Sequence, residues 1–275
     1  MLHPLEDREA LRALYAGAPD ATVRARNILY GRRLPNVRIL VDDPRQPRAA
    51  ALTHDGTSWD LYSRDPDRGR ALLAELEPGG SRAIFVGIAP HLIPEVERRF
   101  EVLAHTPTDL LLLPDGTRLP ESSETSPADR RAPVPADVEL GALGLEHAEL
   151  VAAAWPHDDF EQPSGKLAYI RACIAAGPTV AARQRGRLVS FVLTHTDGSM
   201  GVLHTDPAER GRGLGRLVLS ALVRTLLARG APIFGFVAVG NAPSTALVTS
   251  LGLRPVQRGA WLTVRSSAPQ SDRAG

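Results

Sequence analysis

Apolar residues in the first 118 positions of the chain occur in short runs separated by turn residues. Short apolar-rich runs predict strands, and apolar spacings of three or four residues predict helices. The elements predicted in this part are a helix at 6–15, strands at 37–41, 49–53 and 58–62, a helix at 66–76, a strand at 83–86, a helix at 90–100 and a strand at 110–113. Asp65 is placed to cap the second helix, which begins at Pro66. Strands that alternate with helices predict an α/β fold with a mixed sheet.

Residues 119–137 contain almost no apolar side chains and four prolines. Such a segment cannot bury enough apolar surface to offset the entropy lost on ordering. We therefore expect a linker between an N-terminal domain, 1–118, and a C-terminal domain, 138–265. The polar residues 266–275 are expected to form a disordered tail.

The second half of the chain begins with helices predicted at 146–155 and 166–175. The second helix carries Ile170, Cys173 and Ile174 on one face, so Cys173 is expected to fill the core rather than act as a nucleophile. The elements predicted after these helices are strands at 188–195 and 200–205, a helix at about 213–229, a strand at 233–239, a helix at 243–251 and a strand at 260–264.

The dipeptide Asp197-Gly198 separates the first two of these strands and is typical of a two-residue type I′ hairpin turn. That turn would place His195 opposite Met200. Alternation along the strands then predicts which side chains share a face, unless a bulge shifts the register. The two expected faces carry His195, Met200 and His204 on one side and Ser199 and Thr205 on the other.

A glycine-rich segment from Asp206 to Gly215 follows the strand at 200–205 and leads into the helix at 213–229. A strand that feeds such a turn and then a helix directs several free backbone N–H groups at one point. The helix dipole adds partial positive charge there, so the turn favours an anion. Glycine lets the backbone approach a phosphate closely, and arginine adds charge-assisted hydrogen bonds. The residues expected to hold the anion are Arg210, Gly211, Arg212, Gly213, Leu214, Gly215 and Arg216.

Three phosphate-binding motifs can be compared with this segment. The dinucleotide motif G-x-G-x-x-G needs its third glycine one residue later than Gly215, and a P-loop needs Gly-Lys followed by Ser or Thr. The loop that holds the pyrophosphate of coenzyme A reads Gln/Arg-x-x-Gly-x-Gly/Ala, and residues 210–215 fit each specified position. The segment therefore predicts an acyl-CoA site. A glycine-rich turn with solvated arginines is the alternative.

A second expected contact with coenzyme A lies at the start of the helix predicted at 243–251. Asn241 is placed to cap that helix, and it could instead contact the pantetheine arm. The sequence leaves these two roles of Asn241 open. Ser244, in the first turn, is the other residue expected to bind coenzyme A here.

The C-terminal half resembles GNAT N-acetyltransferases and, more narrowly, their glycine N-acyltransferase-like branch, also described as FR47-like. The resemblance covers about half of the chain, and a fainter one extends to residues 60–66. The stretches that carry it are 146–151 with Trp155, 169–174, 186–190, 207–215, 241–253 and Trp261.

The resemblance implies two GNAT-like domains. The C-terminal domain would have a splayed mixed sheet flanked by helices, and the N-terminal domain would be a degenerate copy without a phosphate loop. Acetyl-CoA or another acyl-CoA would lie between the strands at 200–205 and 233–239. Backbone groups of Leu203, His204 and Thr205 would bind the pantetheine and polarise the thioester. An amine would then attack directly, forming an amide and releasing coenzyme A.

The groups that would transfer protons differ from those of the family at two matching positions. Many GNAT enzymes use a tyrosine in the last helix as general acid, and the matching position here is Val248. The glutamate base of the glycine N-acyltransferase-like branch matches Ser199. His204 and His195 are therefore the candidate catalytic residues, because a histidine pKa suits a base near neutral pH. Structural roles for both histidines, or deprotonation through water, are the alternatives.

Composition disfavours several classes of function. The formal net charge is +1, from 32 basic and 31 acidic side chains, which argues against a general nucleic-acid-binding protein. One cysteine excludes an intrachain disulfide, and the spacing of the eight histidines predicts no metal site. Charged residues at 6–9 stand where a signal peptide would be apolar, and no run approaches the roughly 20 apolar residues of a membrane span. We expect a soluble, cytoplasmic protein without nucleic-acid or membrane partners.

The leading prediction is an N-acyltransferase that moves an acyl group, with acetyl favoured, to a primary amine of a small molecule or amino acid. Acylation of a protein N-terminus or lysine is an alternative within the same class. A non-catalytic CoA-binding module and a nucleotide-binding protein are alternatives outside it. The segment 157–159, His-Asp-Asp, is either a solvated loop or part of an acceptor pocket. A homodimer is expected only by analogy.

Overall fold

The computed structural model of the chain describes residues 2–117, 137–156 and 162–266. The predicted linker apart from Asp137, the predicted tail apart from Ser266, and residues 157–159 lie outside the described residues. The strands in chain order are β1 (His3–Pro4), β2 (Arg38–Val41), β3 (Ala49–Thr53), β4 (Ser58–Ser63), β5 (Arg82–Ile88), β6 (Glu101–Leu112), β7 (Val138–Gly141), β8 (Thr179–Gln184), β9 (Arg187–Thr194), β10 (Met200–Thr205), β11 (Phe234–Ala238) and β12 (Arg254–Arg265). The helices are α1 (Arg12–Ala16), α2 (Val23–Arg26), α3 (Pro66–Glu75), α4 (Ile93–Arg99), α5 (Ala148–Ala154), α6 (Pro163–Ala176), α7 (Leu214–Ala228) and α8 (Ala242–Thr249).

Contacts within the chain divide it into two compact units. The first comprises the described residues of Met1–Leu111, Phe236–Asn241 and Pro255–Gly275. The second comprises those of Leu112–Gly235 and Ala242–Arg254. Each unit is therefore discontinuous in sequence, whereas the predicted domains are continuous.

The first unit contains a mixed sheet in the strand order β1-β2-β3-β4-β5-β12-β6. Each adjacent pair of strands from β1 to β4 is antiparallel, whereas β4 pairs with β5 in parallel. Leu40 and Ala51 pack in the apolar cluster with α3 and α4, and Ile39 and Leu52 pack in a second cluster with α1. Because alternate residues of a strand enter different clusters, both faces of this sheet are covered.

The second unit contains the antiparallel strands β10-β9-β8-β7, and Met200 of β10 pairs in parallel with Gly235 of β11. The helices α5 and α6 cover one apolar cluster, which includes Cys173, Phe191 and Leu193. Cys173 is buried, as its place on the apolar stripe predicts. The helix α7 packs against β8, β9 and β10. Its buried apolar row is Leu214, Val218, Leu222 and Leu226.

The predicted α/β fold with a mixed sheet is confirmed, and each predicted element has a counterpart. The strands β1, β7 and β8 and the helix α2 were not predicted. In β7 three of the four residues are exposed, so the strand lacks the apolar alternation on which prediction depends. The strand β6 is 12 residues long. None of its first seven residues is buried, and the seventh is Pro107, a residue that argues against a strand.

The hairpin between β9 and β10 has a three-residue loop, so the prediction of a two-residue type I′ turn is wrong. The N–H of Gly198 donates to the carbonyl of His195 (2.9 Å), and the N–H of His195 donates to the carbonyl of Ser199 (2.8 Å). Gly198 has a φ of +88°, whereas Asp197 does not have a positive φ. These features describe a type I turn followed by one left-handed residue, and a type I′ turn would need two. The carboxylate of Asp197 closes the loop by accepting from the N–H and the hydroxyl of Ser199 (2.8 and 2.6 Å).

A β-bulge shifts the register between Gly201 and His204. Val202, within the bulge, has a φ of +51°. The pairs across the hairpin are Met200 opposite Thr194, Gly201 opposite Leu193, His204 opposite Phe191, and Thr205 opposite Ser190.

These pairs correct the predicted faces of the hairpin. Residues that pair directly across two strands point to the same face of the sheet. Because side chains alternate along a strand, residues 191, 193 and 195 all point to one face. Ser199, Gly201 and His204 therefore share the face of His195. Met200 and Thr205 share the opposite face. The prediction placed Met200 with His195 because it assumed a shorter loop and an unbroken strand.

Replacing Gly198 with Ala is expected to lower the free energy of unfolding by about 1–2 kcal/mol, because a Cβ is disfavoured in a left-handed residue. Gly198→Asn is the matched control and should lose less, since Asn tolerates this conformation better. Urea unfolding of the three proteins measures the difference. Equal stability of the wild type and Gly198→Ala would contradict the three-residue loop.

Candidate functional site

The glycine-rich segment continues directly from β10 into α7. The N–H of Asp206 donates to the carbonyl of Val189 (2.9 Å), which extends the pairing of β10 with β9. The carboxylate of Asp206 then accepts from the N–H of Ala208 (3.0 Å) and caps a short 3-10 turn, Pro207–Glu209. The strand, loop and helix arrangement expected for an anion site is therefore present.

Two glycines of this segment adopt a left-handed backbone conformation. Gly211 has a φ of +80° and Gly213 a φ of +76°. A Cβ at either position would meet no atom within 4 Å, so the backbone here borders open space. Gly213 is the N-cap residue of α7 and makes no side-chain cap. A helix N-terminus of this kind offers its first N–H groups and its partial positive charge to an anion.

Two carboxylates beneath the loop are paired with arginines. Arg187 of β9 binds both Asp206 and Glu209, and Arg212 also binds Glu209. Glu209 is buried, and a buried carboxylate is stable only when its charge is balanced. Arg212, predicted to bind the anion, is thus also part of the framework of the loop.

Arg210 and Arg216 contact uncharged acceptors. The Nε of Arg210 donates to the carbonyl of Thr205 (3.2 Å), and the Nη1 of Arg216 donates to the hydroxyl of Ser250 (3.0 Å). The first contact fixes the Arg210 guanidinium next to the end of β10. Because a carbonyl does not neutralise it, Arg210 brings positive charge to the loop.

Ser190 of β9 fixes the end of β10. Its buried hydroxyl donates to the carbonyl of His204 (2.8 Å) and lies 2.9 Å from the Oγ1 of Thr205. A Cβ at Gly215 would lie 3.3 Å from the same Oγ1. Gly215 therefore allows the first turn of α7 to approach the end of β10 closely.

His204 lies on β10 just before the loop. Its ring stacks on Phe191, with 5.4 Å between the ring centroids. Partial burial, together with the charge of Arg210, lowers the pKa of His204 below its ordinary value, against the opposite effect of Asp206. The imidazole is therefore neutral at pH 7, the form that can accept a proton.

His195 is packed between aromatic side chains. Its Nδ1 lies 2.8 Å from the hydroxyl of Tyr169, and its ring centroid lies 5.8 Å from that of Trp155. Burial raises the pKa of Tyr169 well above its usual value, so the phenol stays protonated and can donate to Nδ1. On the other side, a Cβ at Gly201 would overlap with the Nε2 of His195. Gly201 is the residue that makes room for this ring.

The positions that match the acid and base of related enzymes are both buried. Ser199 is bound to Asp197 within the hairpin loop, and Val248 lies in α8. Ser199 nevertheless shares its face of β10 with both candidate histidines. Leu203, expected to bind the pantetheine, lies within the β-bulge.

Asn241 and Ser244 fall in different units. The N–H of Asn241 donates to the carbonyl of Ala238 (3.0 Å) in the first unit, and Ser244 lies in the first turn of α8 in the second. Their contacts with coenzyme A stay predictions.

Tyr169, Trp155 and Arg187 belong to the site, although the sequence analysis gave them no role in it. Tyr169 precedes Cys173 by four residues, so the sequence could have placed it next to the apolar stripe of α6. No local sequence pattern indicates the role of Arg187, because its partners lie 19 and 22 residues further along the chain and meet it only across the folded hairpin.

Solved structures resemble the chain over nearly its whole length. A Drosophila protein superposes with a TM-score of 0.73 at 18% identity, covering 97% of this chain and 99% of its own. A tandem GNAT protein from the clavulanic acid biosynthesis pathway gives 0.56 at 18% identity, covering 98% and 99%. A GCN5-related N-acetyltransferase-like protein from Streptococcus suis gives 0.57 at 14% identity, covering 94% and 99%. The chain therefore has the fold of a tandem GNAT acetyltransferase.

The match to a family model covers a shorter part of the chain than the solved structures do. The model described as FR47-like protein matches residues 180–262, which contain the glycine-rich segment. No curated protein matches the sequence. The prediction of a GNAT-like fold with an FR47-like region is confirmed.

Within residues 2–117, 137–156 and 162–266, no helix has the length and apolar character needed to cross a membrane. In the same part of the chain, no three His, Cys, Asp or Glu side chains are grouped so that they could hold a metal ion.

Gly201→Ala is expected to lower the free energy of unfolding by roughly 1–3 kcal/mol, because the added methyl group overpacks against the His195 ring. The same substitution should cost much less in a His195→Ala background, where the ring is gone. Urea unfolding of the four proteins gives a double-mutant cycle. A coupling free energy below about 0.5 kcal/mol would show that the two residues do not compete for this space.

Proposed function

We propose that the protein is an acyl-CoA-dependent N-acyltransferase. Acetyl-CoA is the favoured donor, and a primary amine of a small molecule or amino acid is the acceptor. The observation that carries the proposal is the N-terminus of α7, where Gly213 provides no side-chain cap and borders open space. The match of residues 180–262 to an FR47-like model supports the same function.

Coenzyme A would place its pyrophosphate at this helix N-terminus. The open backbone of Gly211 and Gly213 allows a close approach, and Arg210 supplies positive charge. Backbone groups of residues 203–205 would hold the pantetheine arm. Asn241 and Ser244 would extend these contacts.

The acyl-CoA thioester supplies the acyl group: the amine nitrogen bonds to the carbonyl carbon, the carbon–sulfur bond breaks, and coenzyme A leaves. We assign the general base to His204, because its lowered pKa keeps the imidazole neutral and ready to take the ammonium proton. The imidazolium formed can return this proton to the leaving sulfur, and the second proton that the nitrogen loses as the amide forms passes to water. The reaction therefore does not need an acid at Val248. His195 is the second candidate base. While its Nδ1 accepts from Tyr169, the neutral ring carries its proton on Nε2, so His195 can take a proton only when the Tyr169 hydroxyl turns away from Nδ1.

Two alternatives differ from this proposal in the acceptor or in the chemistry. Acylation of a protein N-terminus or lysine would use the same donor site. A non-catalytic CoA-binding module is favoured by the buried Ser199 and Val248, and it predicts binding without turnover. The single cysteine suits a reducing compartment, and we place the function in the cytoplasm.

Gly213→Asp is expected to abolish stabilisation of the protein by acetyl-CoA. The new carboxylate would cap the first N–H groups of α7 and repel the pyrophosphate. In the wild type, acetyl-CoA at a hundredfold excess over its dissociation constant should raise the free energy of unfolding by roughly 2.7 kcal/mol. Thermal unfolding with acetyl-CoA, coenzyme A, ATP and NAD⁺ measures this effect.

Gly230→Asp is the matched control. Gly230 is also left-handed, with a φ of +61° and no atom within 4 Å of its Cβ position, but it lies beyond the other end of α7. This variant should respond to acetyl-CoA like the wild type. No response of the wild type to either form of coenzyme A, or a response to ATP or NAD⁺ instead, would rule out the proposed function.

His204→Gln is expected to reduce kcat by about 10²–10⁴-fold, the usual contribution of a general base. In the wild type, kcat should fall at acid pH only below the ordinary histidine pKa of about 6.5, because the lowered pKa preserves the neutral form. This acid limb should disappear in the variant. Steady-state rates from pH 5 to 9, at saturating acetyl-CoA and amine, test the assignment, and an unchanged profile would transfer the role to His195 or water.

A further inference from the structure

A cavity of about 270 Å³ lies within the first unit, between the strands β4 and β5. The two strands pair at Ser58 with Ile84 and at Trp59 with Phe85. The next residue of each strand, Asp60 and Val86, already lines the cavity. The cavity therefore opens where this parallel pairing ends.

Gly87 of β5 forms part of the cavity wall. Gly87 has a φ of +64°, and a Cβ there would lie 2.6 Å from the ring of Phe236, which forms part of the wall. The side-chain amide of Gln257 donates to the carbonyl of Gly87 (3.1 Å) and also lines the cavity. A side chain at position 87 would therefore disturb this wall.

The cavity contains a buried pair of opposite charges. The side chain of Arg24 is 3% exposed and that of Asp60 is 14% exposed, and their closest nitrogen and oxygen lie 3.4 Å apart. Burying two charges is costly even when they are paired. A ligand that carries both charges could contact each partner more closely.

The same unit is poorly suited to coenzyme A. The helix α3 follows β4 as α7 follows β10, but its N-cap is Asp65, whose carboxylate accepts from the N–H of Asp67 (2.9 Å). A capped and negatively charged helix N-terminus does not favour a pyrophosphate. A ligand of this unit is therefore expected to differ from coenzyme A.

We propose that this cavity binds a small zwitterion, namely an α-amino acid with an apolar side chain. The ligand carboxylate contacts Arg24, and its ammonium group contacts Asp60. Its side chain lies against the apolar lining, formed by Leu61, Leu92, Leu110 and Phe236. The volume suits a molecule of this size, since pockets for drug-sized ligands span about 300–1,000 Å³. The proposal depends on the first unit alone and does not rest on the acyltransferase function.

Isothermal titration of the full-length protein with the twenty standard amino acids is the first test. At least one apolar amino acid should bind. For L-leucine, the matched probes are 4-methylpentanoate, which lacks the ammonium group, and 3-methylbutylamine, which lacks the carboxylate. For whichever amino acid binds best, each analogue that lacks one charge should bind at least about tenfold more weakly, because each loses a charged hydrogen bond. No binding by any amino acid, or equal binding of a single-charge analogue, would overturn the proposal.

Ala21→Leu then locates the binding site. Ala21 lines the cavity, so a larger side chain fills it while both charges are kept. Binding should be at least tenfold weaker, whereas the matched control Ala16→Leu, at an exposed position of α1, should leave it unchanged. Asp60→Asn should weaken the binding of the amino acid more than that of its des-amino analogue. Circular dichroism confirms that each variant is folded, and amino-acid binding that survives Ala21→Leu in a folded protein would place the ligand elsewhere and overturn the proposal.

Discussion

The N-terminus of α7 is the constraint on which the site depends. A left-handed glycine precedes the helix, so no side chain caps its first N–H groups, and the surrounding space is open. The first unit repeats the order of three antiparallel strands, a helix and a parallel strand, but its helix α3 is capped by Asp65. This difference at one position separates a helix that can receive a phosphate from one that cannot.

The hairpin of β9 and β10 sets the positions of the candidate catalytic residues. Its three-residue loop and the bulge before His204 together bring Ser199, His195 and His204 to one face. The position that resembles a glutamate base is thus occupied by a serine that shares its face with two histidines. A base lost at one position of a strand can be supplied from another when a bulge alters the register between them.

The first unit keeps the strand arrangement of the second but has a different interior. Where β4 and β5 separate, it holds a cavity with a buried arginine and aspartate instead of an anion-binding loop. Holding two charges out of water is costly even when they are paired, and this cost is the physical basis of the proposed amino-acid site. The two units can therefore share a fold and differ in what they bind.

The sequence by itself determined the class of fold, the apolar row of α7 and the glycine-rich segment from Arg210 to Gly215 that leads into this helix. These features are local, because periodicity, caps and glycine spacing act between residues close in the chain. Tertiary structure decided the exposed strand β7, the faces of the hairpin, and the contacts of His195 and Arg187. Each of these depends on pairing register or on partners distant in sequence, as when Tyr169 of α6 meets His195 across the fold. A single extra residue in a loop or bulge reverses the face of each residue that follows, and no local pattern records it.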